Sequence, residues 1–146
     1  MSSAGLRLVA GRIPSERIAT TTSTSDSGTW TTTETVTETV TAPLVTGRLY
    51  RIRWSGGIVT TVGTDVVLIR IREDNLTGTL ITERNFYLAT TSSGGHGAEL
   101  EGTFTAVATA DKSFVITGVR NAGTGTHHAD ATATRPRYLY VDYISG

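Results

Sequence analysis

Polar and apolar residues alternate with a period of two along most of this chain, and no helical period is sustained anywhere in it. The plainest case is Thr29 to Thr41, where every odd position is threonine. The even positions carry Trp30, Val36 and Val40 mixed with Thr32, Glu34 and Glu38. A period of two sends odd and even side chains to opposite faces of an extended strand. The segment therefore predicts one long β-strand with an all-threonine face. Threonine is β-branched and stiff at χ1, which suits a strand, and its hydroxyl accepts either water or a polar partner chain.

Further strands follow, separated by turn residues. Arg48 to Ser55 puts Tyr50, Ile52 and Trp54 on one face and Leu49, Arg51 and Arg53 on the other. Gly56-Gly57 is expected to break it, with Ile58 to Val62 as a separate short strand. Asp65 to Glu73 turns Val67, Ile69 and Ile71 inward and Arg70 and Arg72 outward, and Asp74 to Gly78 is a turn. Thr79 to Thr90 and Ala98 to Ala108 alternate in the same way, with a Ser/Gly loop at 91–97 between them. Ser113 to Asn121 sets Phe114 and Ile116 against Val115, Thr117 and Val119. Ala122 to Thr134 reads as a long loop or a weak strand. Tyr138 to Ile144 is apolar on both faces and is expected to be a central strand. About eight antiparallel strands without a helix predict an all-β sandwich of jelly-roll type.

Residues 1–28 look different and are expected to form an extended N-terminal arm ahead of a sandwich domain at 29–146. Leu6, Leu8, Val9, Ile13 and Ile18 are the arm's candidate apolar anchors for docking on a neighbour. The 146 residues suffice for one core without covalent staples, and cysteine is absent, which excludes disulfides and thiolate chemistry. Thirteen basic and 13 acidic residues give zero formal net charge, an argument against general nucleic-acid binding. No stretch of 18 or more apolar residues predicts a membrane span, and no classical export signal opens the chain. Threonine is about one residue in five and only 18% of residues are charged, a balance suited to an exposed, assembly-forming surface.

Candidate chemistry is sparse. His127, Asp130 and a distant His96 are a conceivable ligand set, but adjacent histidines on a strand point apart and solvated loop polars are the ordinary reading, so no metal or other cofactor is expected. No nucleophile elbow, zincin motif or phosphate-binding loop occurs. Glu34 with Glu38 and Glu99 with Glu101 are spaced to share a strand face, an arrangement an acid/base pair could use, although edge protection is its commoner meaning. No catalytic residue is assigned and the chain is not expected to be an enzyme. Arg51/Arg53, Arg70/Arg72 and Arg135/Arg137 occupy alternate positions, as cross-strand ion pairs or subunit contacts require. Thr31, Thr33, Thr35, Thr37 and Thr39 with Arg51, Arg53, Arg70 and Arg72 are the candidate subunit interface. The threonine face also reads as a solvated strand face or, less readily, as an ice-binding array.

The stretches Gly47-Arg48-Leu49-Tyr50-Arg51-Ile52-Arg53-Trp54, Leu68 to Asp74, Phe114 to Thr117 with Gly123 to Thr126, and Tyr138 to Ile144 resemble those of small β-rich virion proteins of tailed phages, especially phages of actinobacteria. The resemblance spans most of residues 29–146 and carries no catalytic residues. It implies a head decoration, head fibre or minor tail protein. The expected role is a decoration protein on the outer surface of the virion head, homo-oligomeric and first a trimer. Its partners would be itself, the major capsid protein and other virion proteins, with no nucleic acid and no membrane. A minor tail or fibre protein touching the host envelope is the alternative within that class. A carbohydrate-binding module is the alternative outside it, with Trp30, Trp54, Tyr50, Tyr87, Tyr138, Tyr140 and Tyr143 as platform candidates that the alternation mostly assigns to the core.

Overall fold

The computed structural model describes residues 16–91 and 95–146. Among these residues nine strands follow one another: β1 (Glu16–Ser23), β2 (Thr35–Leu44), β3 (Leu49–Thr60), β4 (Asp65–Glu73), β5 (Leu80–Leu88), β6 (His96–Thr105), β7 (Ala110–Ala122), β8 (His127–Asp130) and β9 (Arg137–Ser145). They form two antiparallel sheets, one in the order β1-β9-β3-β6 and the other β2-β7-β4-β5. β9 pairs with Leu49–Ser55 and β8 with Gly57–Thr60, so β8 and β9 lie end to end beside β3. Counted as one interrupted strand, they complete an eight-position jelly roll, the architecture expected from the alternation. β9 is indeed central, flanked by β1 and β3.

Several local expectations are corrected. Glu16–Ser23 is a strand of the first sheet, paired with β9, so a boundary at residue 28 does not separate arm from sandwich. Ile18 packs against the protein's own core rather than standing out as an anchor. Leu6, Leu8, Val9 and Ile13 lie outside the described residues. The long threonine strand is also shorter than its pattern. Trp30 is drawn into the core, its backbone exchanging hydrogen bonds with His127 at 2.8 and 3.0 Å, and the chain bends over Thr31–Thr33 before β2 begins. A bulge between Val36 and Glu38 then shifts the alternation by one residue. Val36 faces solvent, while Glu38, Val40, Ala42 and Leu44 face inward.

Gly56-Gly57 does not interrupt β3, which continues to Thr60. A Cβ on Gly56 would sit 2.9 Å from both Arg137 Cγ and the Trp54 ring, so the glycine makes room for two large buried side chains. The core between the sheets is filled by Tyr50, Ile52, Trp54, Ile69, Phe114 and Ile116, all from the inward positions of β3, β4 and β7. These are the faces that the period of two assigns to the interior.

A buried polar cluster ties β2 of the second sheet to the first sheet. Glu38, from β2 of the second sheet, accepts hydrogen bonds from Trp54 Nε1 and, at 2.8 Å, from Ser23 Oγ. Arg137 Nε lies 3.3 Å from the Glu38 carboxylate, and the two side chains are 3% and 1% exposed. Arg137 Nη1 also donates to the carbonyls of Ser25 and Ala129 at 2.9 and 2.8 Å. A charge this deep is tolerable only when paired and hydrogen-bonded. Glu38→Ala is therefore expected to destabilise the protein by about 3–5 kcal/mol in denaturant unfolding, because Arg137 is left buried and unpaired. The double variant Glu38→Met/Arg137→Met should recover part of that loss. A cost below about 1 kcal/mol for the single variant would contradict this assignment.

Candidate functional site

The outward face of the second sheet carries its charges in one internally neutralised island. Glu34, just ahead of β2, reaches across β7 towards β4. Its carboxylate accepts from Arg70 Nη1 at 2.6 Å, Arg72 Nε at 2.6 Å and Thr117 Oγ1 at 2.6 Å. Arg70 also donates to Glu83 of β5 at 2.8 Å. Burial by itself would raise the Glu34 carboxyl, but the donors Arg72, Thr117 and Arg70 overturn that and hold it at about 2. Beyond the island the same face turns apolar. Val66, Leu68 and Val119 are half-buried neighbours in register, and Tyr87, opposite Val66, is 62% exposed.

The outward face of the first sheet is organised around tyrosines and arginines of β1, β9 and β3. Tyr138 and Tyr140 stack on one another at 5.5 Å, and the Arg17 guanidinium lies 3.5 Å over the Tyr140 ring. Asp142, on the same strand, accepts from Arg17 at 3.0 Å and from Arg51 at 3.4 Å. Arg17, Tyr140 and Tyr138 thus use one another's faces in a single ladder, as the ring quadrupole favours. A sugar ring needs such a face free, and Arg17 covers Tyr140.

At one end of the sandwich the two adjacent histidines separate. His127 is fully buried, with Nε2 2.9 Å from Asp65, which also accepts from the Gly125 amide at 2.7 Å. Gly123, at φ 110°, has no room for a side chain, since a Cβ would lie 1.9 Å from the Asp65 carboxylate. Burial lowers His127 further than Asp65 raises it, so the imidazole is held neutral and donates Nε2–H to an ionised Asp65. His128 and Asp130 face the other way, beside Asp26 of the β1–β2 connection. The ligand set read from the sequence, His127 with Asp130 and His96, is not brought together: His127 belongs to Asp65, and His96 lies against the Ile58 carbonyl.

The nine residues of the candidate interface divide between opposite faces of the sandwich. Thr35, Thr37 and Thr39 are on β2 with Arg70 and Arg72 in the same sheet, Thr31 and Thr33 lie in the bend before it, and Arg51 and Arg53 are on the first sheet. Thr37 and Thr35 spend their hydroxyls on the Ile116 and Thr33 carbonyls. The bulge also parts Glu34 from Glu38, one outside and one in the core, so they are not paired for acid/base work. Arg135 and Arg137 part likewise, Arg135 to Asp130 near the surface and Arg137 to the interior. Sequence reasoning missed Val66, Leu68, Val119 and Tyr87 as a strip. Each was visible as an apolar residue at an outward position, but their adjacency depends on the β5-β4-β7 order.

Because Glu34 titrates far below its ordinary value of 4.5, its contribution to stability is present in full above that value and is lost as pH falls towards about 2. With the side chain 17% exposed, the contribution is on the order of 2–3 kcal/mol. Acid titration of unfolding stability should therefore steepen below about pH 4.5 in the native protein. Glu34→Gln should lower stability at neutral pH and flatten that limb. Superimposable pH profiles for the two proteins would contradict the role given to Glu34.

No family model matches the chain and no curated protein matches it. Its fold has distant likenesses among solved structures. A CBM4 structure is similar at 11% identity and a TM-score of 0.38, with 72% of each chain covered. The infectious bursal disease virus VP2 subviral particle is similar at 12% identity and a TM-score of 0.45, over 89% of this chain and 37% of that one. The insecticidal delta-endotoxin Cry8Ea1 from Bacillus thuringiensis gives 12% identity and a TM-score of 0.44, over 75% of this chain and 18% of its own. These are likenesses of fold, between a β-sandwich and domains of viral capsid, carbohydrate-binding and toxin proteins.

Proposed function

We propose that this chain is a non-enzymatic structural protein of a virion, a decoration protein that binds the outside of the head as a homo-oligomer, a trimer in the simplest case, and stabilises it through contact area. The observation that carries the reading is the outward face of the second sheet. There Glu34, Arg70, Arg72 and Glu83 neutralise one another, and the adjoining Val66, Leu68, Val119 and Tyr87 leave an apolar strip open to solvent. Exposed apolar strips rimmed by polar residues mark protein contact surfaces. An aromatic anchor such as Tyr87 is the residue type on which binding energy concentrates. Burial of that strip against a neighbour stabilises an assembly at about 25 cal/mol per Å2 of apolar surface, less the cost of association.

The resemblance of the β3, β4, β7 and β9 stretches to phage virion proteins supports the same reading, as does the low charge of a threonine-rich surface. The carbohydrate-binding alternative draws on Tyr138 and Tyr140, and the stacking of the two rings with Arg17 laid over Tyr140 argues against it. Counting copies on purified particles tests the proposal. Many copies per head, lost together with a Tyr87→Arg substitution that leaves the isolated protein folded, is the expected result. Absence from heads with a few copies on tails would overturn the decoration role in favour of the tail alternative. Saturable binding to a glycan array that Tyr138→Ala abolishes would overturn it in favour of sugar recognition.

A further inference from the structure

We infer that Asp26, His128 and Asp130 form a binding site for one divalent cation of zinc type, which ties the β1–β2 connection to β8. His128 and Asp130 are two residues apart on β8 and so project from the same outward face. Asp26 is brought beside them by strand-like contacts. Ser27 N donates to the Ala129 carbonyl at 2.9 Å, Ala129 N donates to Ser27 Oγ at 2.9 Å, and Ala131 N donates to Asp26 Oδ1 at 3.1 Å. The backbone thus sets all three side chains before any ion arrives. One ligand atom from each lies within 4.8 Å of the others, and His128 Nε2 is 3.4 Å from Asp26 Oδ2.

The donor set and its access to solvent suit an ion. Asp130 also lines an open cleft of about 390 Å3 together with Gly57 and Gly97, so solvent reaches one of the three ligands directly. One imidazole and two carboxylates make a mixed nitrogen and oxygen set, which suits zinc with a fourth position left to water. Calcium asks for six to eight oxygens and magnesium for near-ideal octahedral geometry, neither of which this set supplies. Arg135 donates to Asp130 at 2.8 Å and is the internal competitor for that carboxylate. The site shares no residue with the apolar strip, so the inference stands apart from the virion reading.

Calorimetric titration of the full chain with zinc chloride, after chelator treatment, tests it. One ion per chain is expected to bind, with little heat from magnesium or calcium chloride. His128→Ala and Asp26→Asn should each weaken zinc binding on the order of tenfold or more. His96→Ala should leave it unchanged, and Arg135→Ala should tighten it by removing the competitor. Zinc should also raise the melting temperature of the native protein and of the Arg135→Ala variant, but not of His128→Ala. No saturable binding at millimolar zinc, or binding undiminished in both His128→Ala and Asp26→Asn, would overturn the site.

Discussion

The arrangement of this sandwich depends on a buried ion pair between its two sheets. Glu38 enters the core from the second sheet and meets Trp54, Ser23 and Arg137 of the first. Apolar packing between two sheets is non-directional and tolerates sliding. A buried carboxylate with one guanidinium and one indole to satisfy tolerates much less, because a displaced partner leaves a desolvated charge behind. The cluster fixes β2 against β1, β3 and β9. It also explains two local features: the bulge at Val36/Glu38 that turns the carboxylate inward, and the bare Gly56 that makes room for Arg137.

The surfaces follow a related economy. Several charged residues are matched within the chain: Glu34 and Glu83 with Arg70 and Arg72, Asp142 with Arg17 and Arg51, and Glu73 and Asp74 with Lys112. Such partly exposed pairs contribute modestly to stability one at a time. Their larger effect is to leave faces with little net field, on which threonine hydroxyls and the Val66–Tyr87 strip set the character. A face of that kind neither repels a neutral neighbour nor demands a charged one.

How much of this was legible beforehand can be judged strand by strand. β4 was readable to its ends, because Val67, Ile69 and Ile71 alternate with Arg70 and Arg72 without interruption. The eight-position sandwich followed from repetition of that pattern. Failures came where a single residue broke the period for a reason three-dimensional in origin. Trp30 leaves the threonine array because the core takes it, packed over Gly118, and Glu38 enters because Arg137 waits there. Neither partner is near in sequence. β8 was hidden in a Gly/Thr/Ala/His stretch of weak alternation, since His127 is held inside by Asp65 and not by apolarity. The candidate arginines were rightly placed on outward positions of β3 and β4, but which sheet each strand joined was beyond a one-dimensional pattern.

On the proposed reading, the open apolar strip on β4, β5 and β7 is where this protein meets its neighbours. Hydroxyl-radical footprinting of Tyr87 in the free protein and on assembled particles tests this most directly. The account predicts strong labelling of Tyr87 in the free protein and its loss on assembly, with Tyr140, already covered by Arg17, changing little. Equal labelling of Tyr87 in both states would contradict it.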